Sequence, residues 1–183
     1  MQETGGDGSC FASAIWKTQG FREHLLYFQH NSGSLMMNSP DGNVFPWFNR
    51  DLDLFFERVV AMDADRIWRA WTQSELLKPW FCPKPWTVAE CEIDLRPGGA
   101  FSTTMKSPEG KLFPNVGCFV EIIQNRKLVW TNTMGPGFRP LAPSAMTEGG
   151  HGAFQFTGMI LLAAVPGGTK YTAVVAHGSK EHR

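Results

Sequence analysis

Charge is scarce in this sequence. Lysine plus arginine number 17 and aspartate plus glutamate number 17, so the formal net charge is +0. Charged residues make up 19% of the chain, below the ~25% of an average domain. That balance excludes a nucleic-acid binder held by a broad basic face and a polybasic membrane anchor. Cysteine is sparse too. Cys10, Cys82, Cys91 and Cys118 form no C-x-x-C pair and, with the histidines, no zinc spacing. They read as reduced thiols, with Cys91 and Cys118 as small core residues. The longest uncharged apolar run, Phe154 to Val165, contains Gln155 and stops at Pro166. It is too short for the ~20 residues of a membrane-crossing helix. The start has neither a basic nor an apolar leader segment, so a cytoplasmic location is expected.

What the chain does have is aromatic bulk. Aromatics make up 13%, as 14 Phe and 7 Trp but only 2 Tyr, within 43% apolar residues. At this length one domain with a sizeable core is expected.

Residues 1–50 carry no period. Gly5, Gly6 and Gly8, then Asn31 to Ser34, then Asn38 to Gly42 interrupt them, and only Phe11 to Phe28 suits a helix. This part reads as an irregular or spurious extension, with Met36 or Met37 as a candidate start. Residues 51–183 read as the domain. Leu52 to Val60 alternates as a strand. Asp63 is a cap for a helix whose apolar positions 64, 67, 68 and 71 make one buried face. Thr72 is read as the cap of a second short helix, Ser74 to Trp80, stopped by Pro83 and Pro85. Strands then follow at Thr87 to Leu95, Ala100 to Lys106, Val116 to Ile123, Lys127 to Met134, Ala153 to Val165 and Tyr171 to Ala176. Thr87 to Leu95 should put Ala89, Cys91, Ile93 and Leu95 on one face. Between Gly135 and Gly152 lies an irregular stretch rich in Gly and Pro. Strand, two helices and a meander of strands indicate an α+β fold of one antiparallel sheet.

Several segments, taken in order, resemble a known family: Arg58-Val59-Val60, Ile67 to Thr72, Leu77 to Phe81, Glu92 to Gly99, Ser107 to Lys111, Gly117 to Ile122 and Leu128 to Thr131. They are similar to bacterial homologues of the activator of the heat-shock-protein-90 ATPase. These belong to the START and polyketide-cyclase (SRPBCC) superfamily. The resemblance covers residues 52–178. It implies a helix-grip fold, a curved sheet of about seven strands around a long C-terminal helix with an apolar cavity between. That helix would only be starting at His177 to Arg183. The expectation is a chain incomplete at its C-terminus, with self-association through an uncovered sheet.

No catalytic motif is convincing. G-x-S-x-G, the P-loop and G-x-G-x-x-G after a strand are all missing. His24, His30, His151, His177 and His182 have no metal-site spacing. No cofactor and no metal are expected. The weak catalytic candidate is Glu121, which by alternation shares a face with Gly117 and Phe119; Cys118, Val120 and Ile122 make an equally good inward face. On an apolar face a carboxylate would favour its neutral form. Arg96 reads either as its partner or as a turn residue on the surface. Trp68 and Trp71 read as core. Trp80, Phe81 and Trp86 are candidates for an aromatic rim, and Phe101, Met105, Phe119, Glu121 and Trp130 for a cavity lining. The leading expectation is therefore a domain that holds a hydrophobic small molecule, lipid-like or aromatic, with a stress-related role. The alternatives are a cyclase- or hydrolase-type enzyme using a cavity carboxylate, and a co-chaperone-like protein-interaction domain.

Overall fold

A computed structural model of the chain describes residues 45, 47–141 and 155–180. The expected irregular region 1–50 therefore lies largely outside the described residues, as does most of the Gly-rich stretch after Leu141. β1 is Leu54–Val60, and two helices follow, α1 at Ala64–Thr72 and α2 at Ser74–Leu77. Then come β2 (Thr87–Ile93), β3 (Ala100–Lys106), β4 (Leu112–Ile123) and β5 (Lys127–Thr131). A two-residue pair, β6 (Met134–Gly135) and β7 (Arg139–Pro140), flanks a single 3-10 turn at Pro136–Phe138. β8 (Phe156–Val165) and β9 (Gly168–His177) close the series. The main sheet has seven antiparallel strands in the order β1-β9-β8-β5-β4-β3-β2. The expected α+β architecture, with two short helices after the first strand, is what forms. Among the described residues no long helix follows β9.

The helices differ from expectation at their boundaries. Asp63 precedes α1 in extended conformation but makes no side-chain cap bond; its carbonyl accepts from the Arg66 and Ile67 amides. Thr72 is the last residue of α1, because its hydroxyl donates back to the Trp68 carbonyl at 2.8 Å. Gln73 is thus the residue between the helices. α2 stops at Leu77 rather than Trp80, and the Trp80 and Phe81 amides both turn back onto the Leu77 carbonyl. The α1 face forms as the periodicity requires, with Ile67, Trp68, Ala70 and Trp71 buried.

The strands differ mainly where side-chain pairing decides. β1 begins at Leu54, since the buried Asp53 carboxylate accepts from the Asn49 amide at 2.8 Å and the His177 amide at 3.3 Å. β4 runs back to Leu112 through Pro114. β5 pairs only with Cys118 to Ile123, so the first half of β4 is open on that side, where a proline is tolerated. β5 ends at Thr131, with its carbonyl so close to Gly117 that no side chain fits between them. The Gly135 to Gly152 stretch is not wholly irregular, since β6 and β7 pair within it.

Register divides the sheet into two faces. The face toward α1 and α2 carries Phe101, Phe119, Leu128, Trp130, Ile160, Leu162 and Tyr171, all in one buried cluster with Ile67, Trp68, Trp71, Leu77 and Trp80. On β8 this face includes Gly158, where a Cβ would stand 2.5 Å from the Trp130 ring. That ring is held by Trp71 at 5.2 Å and Phe101 at 5.6 Å between centroids. Gly158→Ala should therefore lower unfolding free energy by about 1–3 kcal/mol, measured by urea denaturation. Gly178→Ala, with open space around the added carbon, should stay within about 0.5 kcal/mol of the parent.

Candidate functional site

The candidate site is built from α1, the segment after α2, and the inner faces of β3, β4 and β5. Helical spacing aims Trp71 at the sheet, and the tight turn after α2 brings the next two aromatics onto it. Trp71 meets Trp80 edge-on at 4.8 Å and Phe81 edge-on at 6.2 Å. Phe81 in turn meets Phe101 edge-on at 6.1 Å. Phe101 lies 5.1 Å from Phe119 and 5.6 Å from Trp130. Edge-to-face and tilted pairs at these separations suit the ring quadrupole and add about 0.5–1.5 kcal/mol each beyond area burial.

Five sequence candidates are thus brought together: Trp80, Phe81, Phe101, Phe119 and Trp130. The rim set divides. Trp80 is 4% exposed and belongs to the buried cluster. Trp86 stands apart, 5.1 Å from Phe113. Met105 lies in register with Val88 and Phe113, so it joins that second group, over which Lys111 sits at 5.1 Å.

Glu121 does not join either group. The expectation that it shares a face with Phe119 is overturned by a bulge between Phe119 and Glu121. An extra residue in one strand reverses which alternate side chains face the partner layer. Phe119 points inward opposite Trp130, and beyond the bulge it is Ile122 that packs on the core, opposite Leu128. Glu121 falls opposite Val129 on the outer face, with 46% of its side chain exposed and its carboxylate 2.6 Å from Lys127 Nζ. Neither alternation phase therefore holds along the whole of β4. A second bulge does the same on β2, between Val88 and Glu90. Val88 is buried and Ala89 exposed, the reverse of the sequence pattern; Leu95 is also exposed, at 40%. Arg96 is a surface residue paired with Asp94 at 2.8 Å.

Burial favours the neutral form of several titratable groups around the sheet. Burial pushes the Cys82 thiol up to about 11 and raises Cys91. Cys118 is also raised by burial, against a hydrogen bond from the Phe138 backbone. Burial likewise pushes the Tyr171 phenol up, offset in part by the nearby Trp71 indole. Among the described residues, no group of three metal-ligating side chains converges. Trp71, Tyr171 and Thr103 are members of the inner face that sequence reasoning did not single out for a site. Trp71 carried a signal in its helical spacing, but was assigned to the core alone.

The comparisons with known proteins now bear on this geometry. Residues 61–183 match the family described as Activator of Hsp90 ATPase homolog 1-like protein. The chain belongs to this family. A crystal structure of a protein from Nitrosomonas europaea is 40% identical, with a TM-score of 0.66, over 74% of this chain and 82% of that one. A structure from Rhodobacter sphaeroides, 21% identical, has a TM-score of 0.57 over 72% of this chain and 75% of the other. An AHSA1-like protein from Aeromonas hydrophila, 16% identical, has a TM-score of 0.53 over 70% and 76%. The last two show the fold alone. No curated protein matches the chain. An AHSA1-like, START-like fold supports a ligand-binding domain in general terms. No helix among the described residues is long and apolar enough to cross a membrane.

Two measurements check this picture. Tyr171 is held neutral by burial, so its contribution to stability is intact below the ordinary phenol pKa of 10.0 and is lost as pH rises beyond it. In a Tyr27→Phe chain, where Tyr171 is the sole tyrosine, absorbance at the tyrosinate band should appear only together with unfolding. Glu121→Gln breaks an ion pair that is half in water, and should change unfolding free energy by less than about 1 kcal/mol in thermal or urea melts.

Proposed function

We propose that this domain binds a hydrophobic small molecule at the aromatic face between the sheet and the helix segment. The observation that carries the reading is the continuous set of ring contacts from Trp71 through Phe81 and Phe101 to Trp130. With Phe119 of β4 beside Phe101, it joins the helical layer to three strands of the sheet. Apolar, aromatic-lined surfaces with few polar groups are the usual form of a small-molecule site. Phe81 is the one ring of the six left half-buried, so access runs past it. The enzyme reading that needs a cavity carboxylate loses its residue, because Glu121 is on the opposite face beside Lys127.

A neutral phenylnaphthylamine dye tests the reading by its fluorescence gain in apolar surroundings. Saturable binding at a ratio of one dye per chain is expected, weakened at least tenfold in Phe81→Ala. Fluorescence that rises linearly without saturation would sink the proposal.

A protein-interaction role is the second reading, favoured by a different surface. Leu112, Val116, Val120 and Ile123 are all exposed along β4, at 54%, 38%, 37% and 43%. A stripe of this kind suits a partner protein, and the family takes its name from an ATPase activator. Val116→Lys with Val120→Lys should abolish any stimulation of a heat-shock-protein-90-type ATPase while leaving dye binding unchanged. Stimulation that survives the double substitution removes this reading.

A further inference from the structure

Among the described residues the main sheet ends at β1 on one side and at β2 on the other, and the two edges are built differently. An edge strand presents a row of unpaired N–H and C=O groups, which proteins blunt with bulges, prolines and charges. β2 has a bulge between Val88 and Glu90, and it sends Glu90 and Glu92 outward in register with Thr104 and Ser102. β1 has neither bulge nor proline. Its seven residues hold unbroken register with β9 from Leu54 to Val60, and Val59 is 53% exposed. Its two charges lie on opposite faces. Glu57 accepts from the Thr172 hydroxyl at 2.8 Å and has Lys170 Nζ at 3.8 Å. Arg58 shares the inner face with Phe56 and is in register with Tyr171.

The order of side chains makes this strand complementary to itself. Set a second copy antiparallel beside β1 with a two-fold axis at Glu57. Leu54 then meets the partner's Val60, Phe55 meets the partner's Val59, and Phe56 meets the partner's Arg58, each pair occurring twice. All seven residues overlap. Phe55 on valine is an aromatic–β-branched pair, and Phe56 with arginine is a cation–π pair that gives the inward charge a partner. The like-charge meeting, Glu57 on Glu57, joins carboxylates already held by Thr172 and Lys170 of their own chain. Other registers are worse. An axis at Phe56 shortens the overlap to residues 54–58 and sets Phe55 against Glu57. An axis at Arg58 leaves residues 56–60 and sets arginine on arginine, with no carboxylate of β1 on that face. A slip of one residue turns the inner face of one copy onto the outer face of the other.

We infer that β1 is a dimerisation edge, where two copies of this chain pair antiparallel about Glu57 and join their sheets into one. Such an interface is isologous, so each contact across it is made twice. Seven paired residues supply about six to eight backbone hydrogen bonds across the axis. The inference places self-association at the edge of the sheet rather than on one of its faces. It uses neither the ring contacts of Trp71 nor the β4 stripe, and stands apart from both functional readings.

Sedimentation equilibrium of the full chain tests the association. Twice the chain mass is expected, and a chain that stays monomeric up to about millimolar concentration, too weak for a specific interface, overturns the inference. Cross-linking tests the register. Under mild oxidation with diamide, Glu57→Cys should give a disulfide-linked dimer, because directly opposite strand positions lie within disulfide reach. Val59→Cys, whose two copies stand on either side of the axis, should not, and neither should the parent chain. Cross-linking in both variants, or in neither, overturns the pairing about Glu57. Val59→Lys sets a second lysine in the row of Lys170, against the partner's Phe55, and should weaken dimerisation about tenfold or more. Val116→Lys with Val120→Lys should leave dimerisation unchanged. The reverse pattern moves the association to the β4 stripe and overturns the inference. Circular dichroism checks that Val59→Lys folds; if it does not, the Glu57→Cys and Val59→Cys comparison decides.

Discussion

The structure depends on one arrangement, the seating of Trp71 against the sheet. Its indole touches Trp80, Phe81 and Trp130 and shares one buried cluster with Tyr171. One side chain from a nine-residue helix therefore binds together the segment after α2, the middle of the sheet and its β9 side. A helix that short has little stability of its own. It persists because its apolar face has rings to lie on, and the rings are packed because the helix lies on them. The exclusion of water from this cluster follows from the same contact, since the rings close over the polar groups between them.

Side-chain direction on the two working strands is set by bulges rather than by alternation alone. On β4 the extra residue allows Phe119 and Ile122 both to face the core, three positions apart, and turns Glu121 out to Lys127. Without it, a carboxylate would stand among aromatic rings with no cation nearby. The bulge on β2 exchanges Ala89 for the larger Val88 in the interior. Both devices fill the inner face with bulk and keep charge off it, so the chemical character of the site is a property of strand pairing as much as of sequence.

This explains what could be read from the sequence. The order of elements was legible, because each strand and α1 carry their own period between Gly and Pro breaks. So was the buried face of α1, and so were five of the aromatic positions that meet. The side on which Glu121 falls was not legible, since a bulge is a relation between two strands and leaves no mark in one. The extension of β4 through Pro114 was hidden for a similar reason: proline reads as a breaker until the neighbouring strand is known to end short of it. Trp86 looked like a companion of Trp80 by proximity in sequence, yet pairs with Phe113 across the sheet. Thr103 was legible by alternation as a neighbour of Phe101 and Met105 on one side of β3, but not as a buried residue.

The pairing of the first strand with the last has a consequence for how the chain reaches this state. β1 has β9 as its neighbour in the sheet, and their paired residues lie 109 (Val60 and Thr169) to 121 (Leu54 and Val175) positions apart in sequence. Contacts of such high sequence separation are slow to form, because a long loop must close before any of them is gained. On the ribosome, β1 and its exposed Val59 wait unpaired while every other strand is made. Among the described strands, β9, which completes the sheet, is the last to emerge, so β1 gains its partner late. Until then β1 presents an unpaired edge, the kind of surface that chaperones guard.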